Sequence, residues 1–425
     1  MQTIDRFKQL LNSLEPEKPL SDLNLYVEGR RSAAREIERR LDTIEKRPCK
    51  SLLLGARGGG KSTELRRLVS LLAGRSDLIV ETIDLDATGV TAANVTALDL
   101  LYMCCIALLR RVAEKPQKLL FTRLKAAYAG EQEKGALGKV ADALEGLRGF
   151  GMALGGAAGA AVGEPGALAV ASAGVMDVMA KGITLIPRPD RFVSESSTQG
   201  QRMLAVCAEI TQAVRGDRAV SICLVVDGLE KMNGEANDRF HAMFEQTRLI
   251  AQAPWSMVIA APPSTLTSGD SVANLGYDTV IVWGFPDEPE LLTRLVQRRL
   301  AAEGLADDVI DADALEYMVE MCGGLPRHLV KILEETLWAA LAQEADRLTM
   351  AVVKAGVRRF GMELARGLDL DDIEVLSTVK RRRRLPKRDE SAKLFAAGRI
   401  LAEPPDGDGL FNDYRVHPIL APEIE

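Results

Sequence analysis

The stretch from Gly55 to Ser62, GARGGGKS, places small residues, a lysine and a hydroxyl at the spacing that phosphate binding requires. Small residues let successive backbone N–H groups approach phosphate oxygens, and a following helix directs its positive end at them. In this pattern Lys61 reaches the outer phosphates and the Ser62 hydroxyl ligates Mg²⁺. We therefore predict a loop that holds a nucleotide by its phosphates. The residues assigned to this loop are Gly55, Ala56, Arg57, Gly58, Gly59, Gly60, Lys61, Ser62 and Thr63.

The residues on either side provide the elements that a phosphate loop needs. The apolar run 50–54 reads as a buried strand, and residues 62–72 have the apolar spacing of an amphipathic helix. A glycine-rich turn that matches by chance is the alternative, but strand, loop and helix occur in the required order. The pattern therefore favours phosphate binding over a flexible turn.

A carboxylate follows a second buried strand later in the chain. Residues 221–227, SICLVVD, form an apolar run that ends in Asp227. A parallel strand that ends in an acid places that acid beside the Mg²⁺ of a phosphate-loop site. We predict that Ser62 and Asp227 are the protein's metal ligands, and that Lys61 and Asp227 belong to the catalytic machinery.

Three more apolar segments complete a set of five strands. They span residues 77–84, 255–261 and 279–283, and a long helix is predicted over 92–111. Strands that alternate with helices indicate a parallel α/β sheet with helices on both faces.

Composition limits the class of protein. The chain has 425 residues, of which 47% are hydrophobic and 27% charged, so we expect two to four domains. The net charge of −6 argues against a surface wholly adapted to nucleic acid, although a local basic patch is compatible with it. Six cysteines without CxxC spacing and an N-terminus without a secretion-signal pattern lead us to expect reduced, buried thiols and a cytoplasmic protein.

The order of these elements resembles that of the AAA+ and STAND ATPases. After the phosphate loop, the Asp227 strand and a further strand comes a helical segment with the sequence CGGLPRH at 322–328. The chain is similar both to origin-recognition ATPases and to signalling ATPases with a GLP motif. The resemblance implies ATP or ADP with Mg²⁺ as cofactors and a parallel P-loop sheet of the ASCE type, followed by a helical lid and a C-terminal winged-helix domain.

The resemblance also implies nucleotide contacts outside the phosphate loop. The segment YVEGR, residues 26–30, is similar to the segment that packs on adenine in this group, which assigns Gly29 and Arg30 to the base. Pro326 lies near the start of a predicted helix, and Arg327 would be a lid sensor of the terminal phosphate. A solvated surface arginine is the alternative for Arg327.

The C-terminal residues have the pattern of a winged helix. Residues 371–384 and 390–397 are helical in spacing, and 399–403 with 410–417 read as a hairpin. The sequence VHP at 416–418 is similar to the motif by which STAND ATPases contact bound ADP, which makes His417 a second nucleotide sensor. A purely structural histidine is the alternative.

Two departures from the family pattern favour slow, regulatory hydrolysis. The acid that polarises the attacking water usually follows the strand-terminal Asp directly, whereas here the sequence is DGLE, so Glu230 is the candidate base. The end of the next strand, residues 260–264, lacks the Arg or Asn commonly found there as a sensor.

A basic run and a Gly/Ala-rich segment suggest partners. The run Lys380–Arg388 could contact DNA, a solvated surface or an acidic protein, because clustered cations release counterions from phosphates. Residues 150–182 carry almost no charge, and their apolar pieces are shorter than the ~20 residues of a membrane helix. Packing on another subunit, disorder, or the membrane contact implied by a resemblance to KAP-type ATPases stay open.

The motifs and apolar segments divide the chain into five predicted regions. A nucleotide-binding core comprises residues 1–116 and 186–289, interrupted by an insertion at 117–185, and a helical lid (290–362) and a winged helix (363–425) follow. The predicted function is an ATPase that works as a nucleotide-dependent conformational switch, either as a homo-oligomer or with a separate effector protein. A DNA-binding loader or initiator ATPase and a non-catalytic nucleotide-binding scaffold are the two alternatives.

Overall fold

A computed structural model shows how these segments fold. It describes residues 2–16, 20, 22–29, 32–43, 47–85, 95–129, 196–229, 248–261, 276–282, 288–305, 307–386, 388–403 and 413–424. Within them, five strands form one parallel sheet in the order β2-β3-β4-β1-β5. The strands are β1 (Lys50–Leu54), β2 (Leu78–Asp84), β3 (Ser221–Asp227), β4 (Ser256–Ala261) and β5 (Thr279–Val282).

The strand order determines where the functional residues meet. Strand β4 lies between β1, which leads into the phosphate loop, and β3, which ends in Asp227. All strands run in the same direction, so their carboxyl ends share one edge of the sheet. This order and the flanking helices confirm the predicted fold class, a parallel P-loop sheet of the ASCE type.

Helices cover both faces of the sheet because alternate strand residues are apolar on both sides. Leu53, Val225 and Val258 belong to one core, with α3 (Lys61–Leu72) against it. Leu52, Val226 and Ile259 belong to the other core. The helices of this second core are α4 (Ala97–Leu109), α5 (Glu114–Ala129) and α6 (Thr198–Arg215). Two more helices lie on the side of α3, namely α1 (Gln2–Ser13) and α2 (Ala33–Thr43).

Helix α4 is the centre of the second layer. Apart from Ile106 its residues are buried, because α5 and α6 pack against it. A capping box between Thr96 and Asp99 begins the helix, and the Tyr128 hydroxyl of α5 donates to Asp99. The predicted insertion boundary at residue 117 therefore falls inside α5, a helix of this layer. The rest of that insertion, 130–185, lies outside the described residues.

The lid consists of four helices that follow the sheet. They are α7 (Pro289–Ala302), α8 (Ala312–Met321), α9 (Pro326–Ala342) and α10 (Met350–Ala365). Helices α9 and α10 pack closely, since a Cβ added at Gly356 would lie 2.6 Å from the Thr336 backbone nitrogen. The lid residues belong to the same apolar core as α1 and α3.

The C-terminal part has the predicted helix, helix and hairpin of a winged helix. It contains α11 (Leu370–Arg382), α12 (Asp389–Ala396) and the antiparallel strands β6 (Ile400–Glu403) and β7 (Asp413–Val416). Asp369 begins α11 through a capping box with Asp372, and three cations occupy its last turn, where they complement the helix dipole.

The structure bears on the predicted state of the cysteines and on the question of a membrane contact. All six cysteines are buried free thiols, as predicted. None of the described helices combines the length and apolar character needed to cross a lipid bilayer. The Gly/Ala-rich residues 150–182 lie outside the described residues.

Candidate functional site

The phosphate loop connects β1 to α3 at the carboxyl edge of the sheet. Gly58 and Gly60 adopt φ angles of +84° and +91°, a region that side chains other than glycine rarely enter. Gly60 begins α3 without a side-chain cap, so the first backbone N–H groups of the helix are available to an anion. The loop therefore has the backbone cradle that a phosphate group needs.

Lys61 is the first residue of α3 and only 3% exposed. Its Nζ atom donates to the carbonyl oxygens of Gly55, at 2.8 Å, and Ala56, at 2.9 Å. These bonds place the ammonium group within the curve of the loop, at the start of the helix. The predicted phosphate-binding cation is thus located where loop amides and helix dipole also concentrate positive potential.

Ser62 and Asp227 meet across the sheet edge, as the sequence predicts. The Ser62 hydroxyl donates to Asp227 Oδ1 over 3.1 Å, and the Gly228 amide donates to the same oxygen over 3.0 Å. A hydroxyl and a carboxylate beside a phosphate loop are the hard oxygen ligands that Mg²⁺ prefers. The donor set therefore fits a magnesium–nucleotide complex.

The lid contacts the phosphate loop through the first turn of α9. Pro326 begins the helix, and the Arg327 amide donates to the Gly58 carbonyl over 3.1 Å. Arg327 Nε donates to the Pro16 carbonyl over 3.0 Å, which links the same residue to the segment after α1. A Cβ at Gly58 would lie 2.5 Å from Arg327 Cβ, so this close approach requires glycine.

The winged helix also reaches the phosphate loop. The Arg57 amide donates to the carbonyl of Ala396, the last residue of α12, over 2.9 Å. The loop thus touches the lid on one side and the winged helix on another.

A cavity of about 350 Å³ lies against the loop. Its walls come from α1 and the segment after it, from Tyr26 and Val27, from α3 and from the lid helices α7 and α9. The apolar part is lined by Leu10, Leu14, Val27, Leu291, Leu295 and Val330. The volume and the mixed lining are those of a small-ligand site.

Glu64 is a site residue that the sequence analysis does not single out. It lines the cavity, is 3% exposed, and accepts a hydrogen bond of 2.6 Å from the Tyr26 hydroxyl. Burial raises the pKa of the Glu64 carboxyl, and burial followed by the charge of Glu64 raises the pKa of Tyr26. In the sequence Glu64 looks like an ordinary acid in the first turn of a helix, and its burial depends on contacts with Tyr26, Ser32 and Ala34, which lie 38, 32 and 30 residues earlier in the chain.

His417 occupies a different place from the other predicted contacts. It is fully buried, and its Nε2 lies 3.0 Å from Nδ1 of His328, the residue after Arg327. The Ile419 amide donates to His417 Nδ1, which favours the neutral tautomer with its proton on Nε2, and the ring also hydrogen-bonds the backbone of Cys322. His417 is not among the residues that line the cavity, and it joins the winged helix to the lid.

The structure thus brings together most of the predicted site. The loop residues Gly55 to Thr63 surround Lys61, Asp227 approaches Ser62, and Pro326 and Arg327 complete the cavity wall. Gly29 follows the Tyr26–Val27 wall without lining the cavity. Arg30 and Glu230 lie outside the described residues.

Comparisons with known proteins give similarity at the level of structure. No protein-family model and no curated protein matches the chain. Cdc6p from Pyrobaculum aerophilum aligns with 14% identity over 96% of this chain and 100% of that one, with a TM-score of 0.38. The Thermotoga maritima RuvB Holliday junction branch migration motor aligns with 13% identity over 96% of this chain and 98% of that one, with a TM-score of 0.39. The structure of Drosophila ORC bound to DNA aligns with 11% identity over 98% of this chain and 89% of that one, with a TM-score of 0.43.

These likenesses carry no functional inference, because their TM-scores lie below 0.5. The class of the chain follows from its own geometry. A phosphate loop between β1 and α3, a strand-terminal Asp beside its serine, a helical lid and a winged helix define a P-loop architecture similar to the one predicted from the sequence.

Replacement of Gly58 by alanine tests the contact between loop and lid. We expect Gly58→Ala to lower the free energy of unfolding by about 1–3 kcal/mol more than Gly367→Ala, as measured by urea denaturation. The control residue also has a positive φ, +77°, but has open space around it, so it carries only the backbone strain. Equal losses in the two variants would contradict the close approach of Arg327 to Gly58.

The buried histidine pair predicts a specific pH dependence. Burial lowers the pKa of His417 to about 3, while the unfolded residue titrates near 6.5. The stabilisation is therefore complete above pH 6.5 and is lost as the pH falls towards 3. Between pH 7 and pH 5 this residue should contribute a loss of about 2 kcal/mol. Urea denaturation of His417→Gln, whose side chain cannot titrate, should show a correspondingly smaller change in the free energy of unfolding between pH 7 and pH 5. An unchanged pH dependence would refute the lowered pKa of His417.

Proposed function

We propose that the chain is a slowly hydrolysing regulatory ATPase of the AAA+/STAND type, in which bound nucleotide controls the docking of the lid and winged helix. The observation that carries the proposal is the shared contact surface of the phosphate loop. The Gly58 carbonyl binds the lid through Arg327, and the Arg57 amide binds the winged helix through Ala396. A ligand that rearranges this loop acts on both parts together.

The residues that would hold the nucleotide follow from the site. Backbone amides of the loop and Lys61 would bind the phosphates, and Ser62 with Asp227 would hold Mg²⁺, which neutralises phosphate charge and orients the phosphates when bound. The apolar cavity between Tyr26–Val27 and α7 suits a base, and Pro326 adds to its wall.

Arg327 is the proposed sensor of the nucleotide state. Its guanidinium lies at the cavity and donates to the Pro16 carbonyl. A charge-assisted bond to phosphate is stronger than a bond to a neutral carbonyl, so phosphate would compete for this side chain. Movement of Arg327 is then transmitted to the adjacent His328 and from there to His417.

Slow turnover is the second part of the proposal. Glu230 is the proposed base because it follows the Asp227 strand by three residues. Strand β4 ends in Ala260 and Ala261, which offer no polar group towards a terminal phosphate. Hydrolysis without such a group would be slow, as a regulatory switch requires. The output would come from a homo-oligomer or a separate effector protein.

DNA binding through the basic run is the second candidate function. Arg381 and Arg382 are exposed at the end of α11. Arg383, however, pairs with Glu403 and Asp413 of the wing. The charge of Arg383 is therefore balanced within the domain, which favours the switch over the DNA-binding loader.

Two further residues of the run have partners within the winged helix. Lys380 donates to the Ile424 carbonyl, and Arg388 pairs with Glu374 over 3.4 Å. Helix α12 is in the position of a recognition helix. The carbonyl of its last residue, Ala396, accepts a hydrogen bond from the Arg57 amide of the phosphate loop. The winged helix is thus engaged with its own ATPase core.

Calorimetry with Mg·ADP and a phosphate-release assay with Mg·ATP test the proposal. We expect wild type to bind ADP and release phosphate slowly, Lys61→Ala to lose binding, and Glu230→Gln to bind but not turn over. Lys118→Ala, an exposed lysine on α5, is the matched control and should behave as wild type.

The same assay separates the alternatives. Strong stimulation by duplex DNA that is lost when Arg381 and Arg382 are neutralised would favour the loader. Binding without any phosphate release, insensitive to Glu230→Gln, would favour the non-catalytic scaffold. No binding of either nucleotide would refute the proposed function.

A further inference from the structure

We propose that Glu64 is a positioning residue that sets the affinity for the nucleoside half of the ligand independently of the phosphate half. The inference rests on the proposed function, because it concerns the same cavity. Glu64 lies three residues after Lys61 on α3, about 4.5 Å further along the helix axis. Helix α3 therefore carries both Lys61, the cation for the phosphates, and Glu64, the hydrogen-bond acceptor for the cavity wall formed by Tyr26.

The Glu64 carboxylate accepts hydrogen bonds from residues that lie 30 to 38 positions earlier in the chain. The Tyr26 hydroxyl donates to Oε1 over 2.6 Å, and the Ser32 hydroxyl and the Ala34 amide donate to Oε2 over 3.3 Å and 3.1 Å. Ala34 lies in the first turn of α2, where unpaired amides favour a negative charge. The carboxylate thus caps α2 and holds Tyr26 with the same two oxygens.

Burial of this carboxylate indicates a role beyond packing. Glu64 is 3% exposed, and removal of a charged group from water is costly unless hydrogen bonds compensate for it. An apolar residue of similar volume would fill the space between α2 and α3 without that cost. What it could not do is hold the Tyr26 hydroxyl and the Ala34 amide at fixed positions.

Tyr26 carries the effect of Glu64 to the cavity and the lid. Its ring lies under the Arg67 guanidinium of α3, 5.7 Å from the ring centroid, and its side lines the cavity. Its carbonyl accepts a bond from Arg298 of α7, and Arg298 also donates to the Asn24 carbonyl over 3.3 Å. The wall is therefore held from α3 on one side and from α7 on the other.

This arrangement separates two parts of the site. The phosphate end depends on loop amides and on Lys61, whose bonds go to Gly55 and Ala56. The nucleoside end depends on Tyr26 and Val27, whose position is set by Glu64. Loss of the Glu64 bonds should loosen the second part and leave the first intact.

Calorimetry with two Mg²⁺-bound probes, ADP and inorganic pyrophosphate, tests this separation. We expect Glu64→Gln and Tyr26→Phe each to weaken ADP binding about tenfold, because the first removes the charge and one of the two acceptor oxygens and the second removes the donor hydroxyl. Pyrophosphate affinity should change less than about twofold, since bonds to Gly55 and Ala56 are untouched. Tyr26→Phe removes only a hydroxyl, so it remains informative if Glu64→Gln folds poorly.

Controls separate positioning from general damage. Tyr317→Phe, a partly buried tyrosine under Lys354 of the lid, should leave both affinities unchanged. Lys61→Ala should lose both ligands. The double variant Tyr26→Phe/Glu64→Gln should lose less affinity than the sum of the two single variants, because the two residues share one hydrogen bond.

The possible outcomes bear on different claims. Equal weakening of ADP and pyrophosphate, or unchanged ADP binding in both single variants, would overturn the positioning role of Glu64. A wild-type protein that binds neither probe would instead refute the proposed function, and the inference with it.

Discussion

The hydrogen bond from the Arg327 amide to the Gly58 carbonyl is the contact on which the arrangement of the phosphate loop, lid and winged helix depends. It forms because Gly58 adopts a positive φ and lacks a Cβ, so the first turn of α9 can approach the loop backbone. The next residue of α9, His328, binds His417 of the winged helix. One helical turn therefore joins three parts of the molecule.

The contacts at this turn differ in their physical character. The lid and winged helix share an apolar core that includes Leu325, Phe395 and Leu401, and a Cβ at Gly398 would meet His328 at 2.7 Å. The contacts with the phosphate loop, by contrast, are backbone hydrogen bonds to Arg57 and Gly58. Apolar packing joins the lid to the winged helix, while polar bonds, which a phosphate ligand can replace, join both of them to the backbone of Arg57 and Gly58.

Local chemistry explains what could be predicted from the sequence. The phosphate loop works through backbone amides and residues adjacent in the chain, so its spacing alone identifies it. Asp227 was predictable because a strand-terminal acid has few other roles after a phosphate loop. The parallel sheet with helices on both faces followed from apolar runs that only a doubly covered parallel sheet can bury.

Long-range pairing explains what could not be predicted. His417 has the motif of a nucleotide contact, but its partner His328 is 89 residues away and only the fold brings them together. Glu64 has the appearance of a solvated acid until Tyr26 and Ala34 fold against it. The sequence of the basic run does not show which acids lie near it, whereas in the structure Arg383 forms ion pairs with Glu403 and Asp413 of the wing.

Hydrogen–deuterium exchange with and without Mg·ADP tests the central claim most directly, namely that the loop, the lid and the winged helix respond to nucleotide as one unit. Coupling of the three parts predicts that ADP changes the exchange of amides in residues 56–60, 325–330 and 394–400 together, because the bonds of Arg57 and Gly58 link these segments. A change confined to residues 56–60, with 325–330 and 394–400 unaffected, would contradict it.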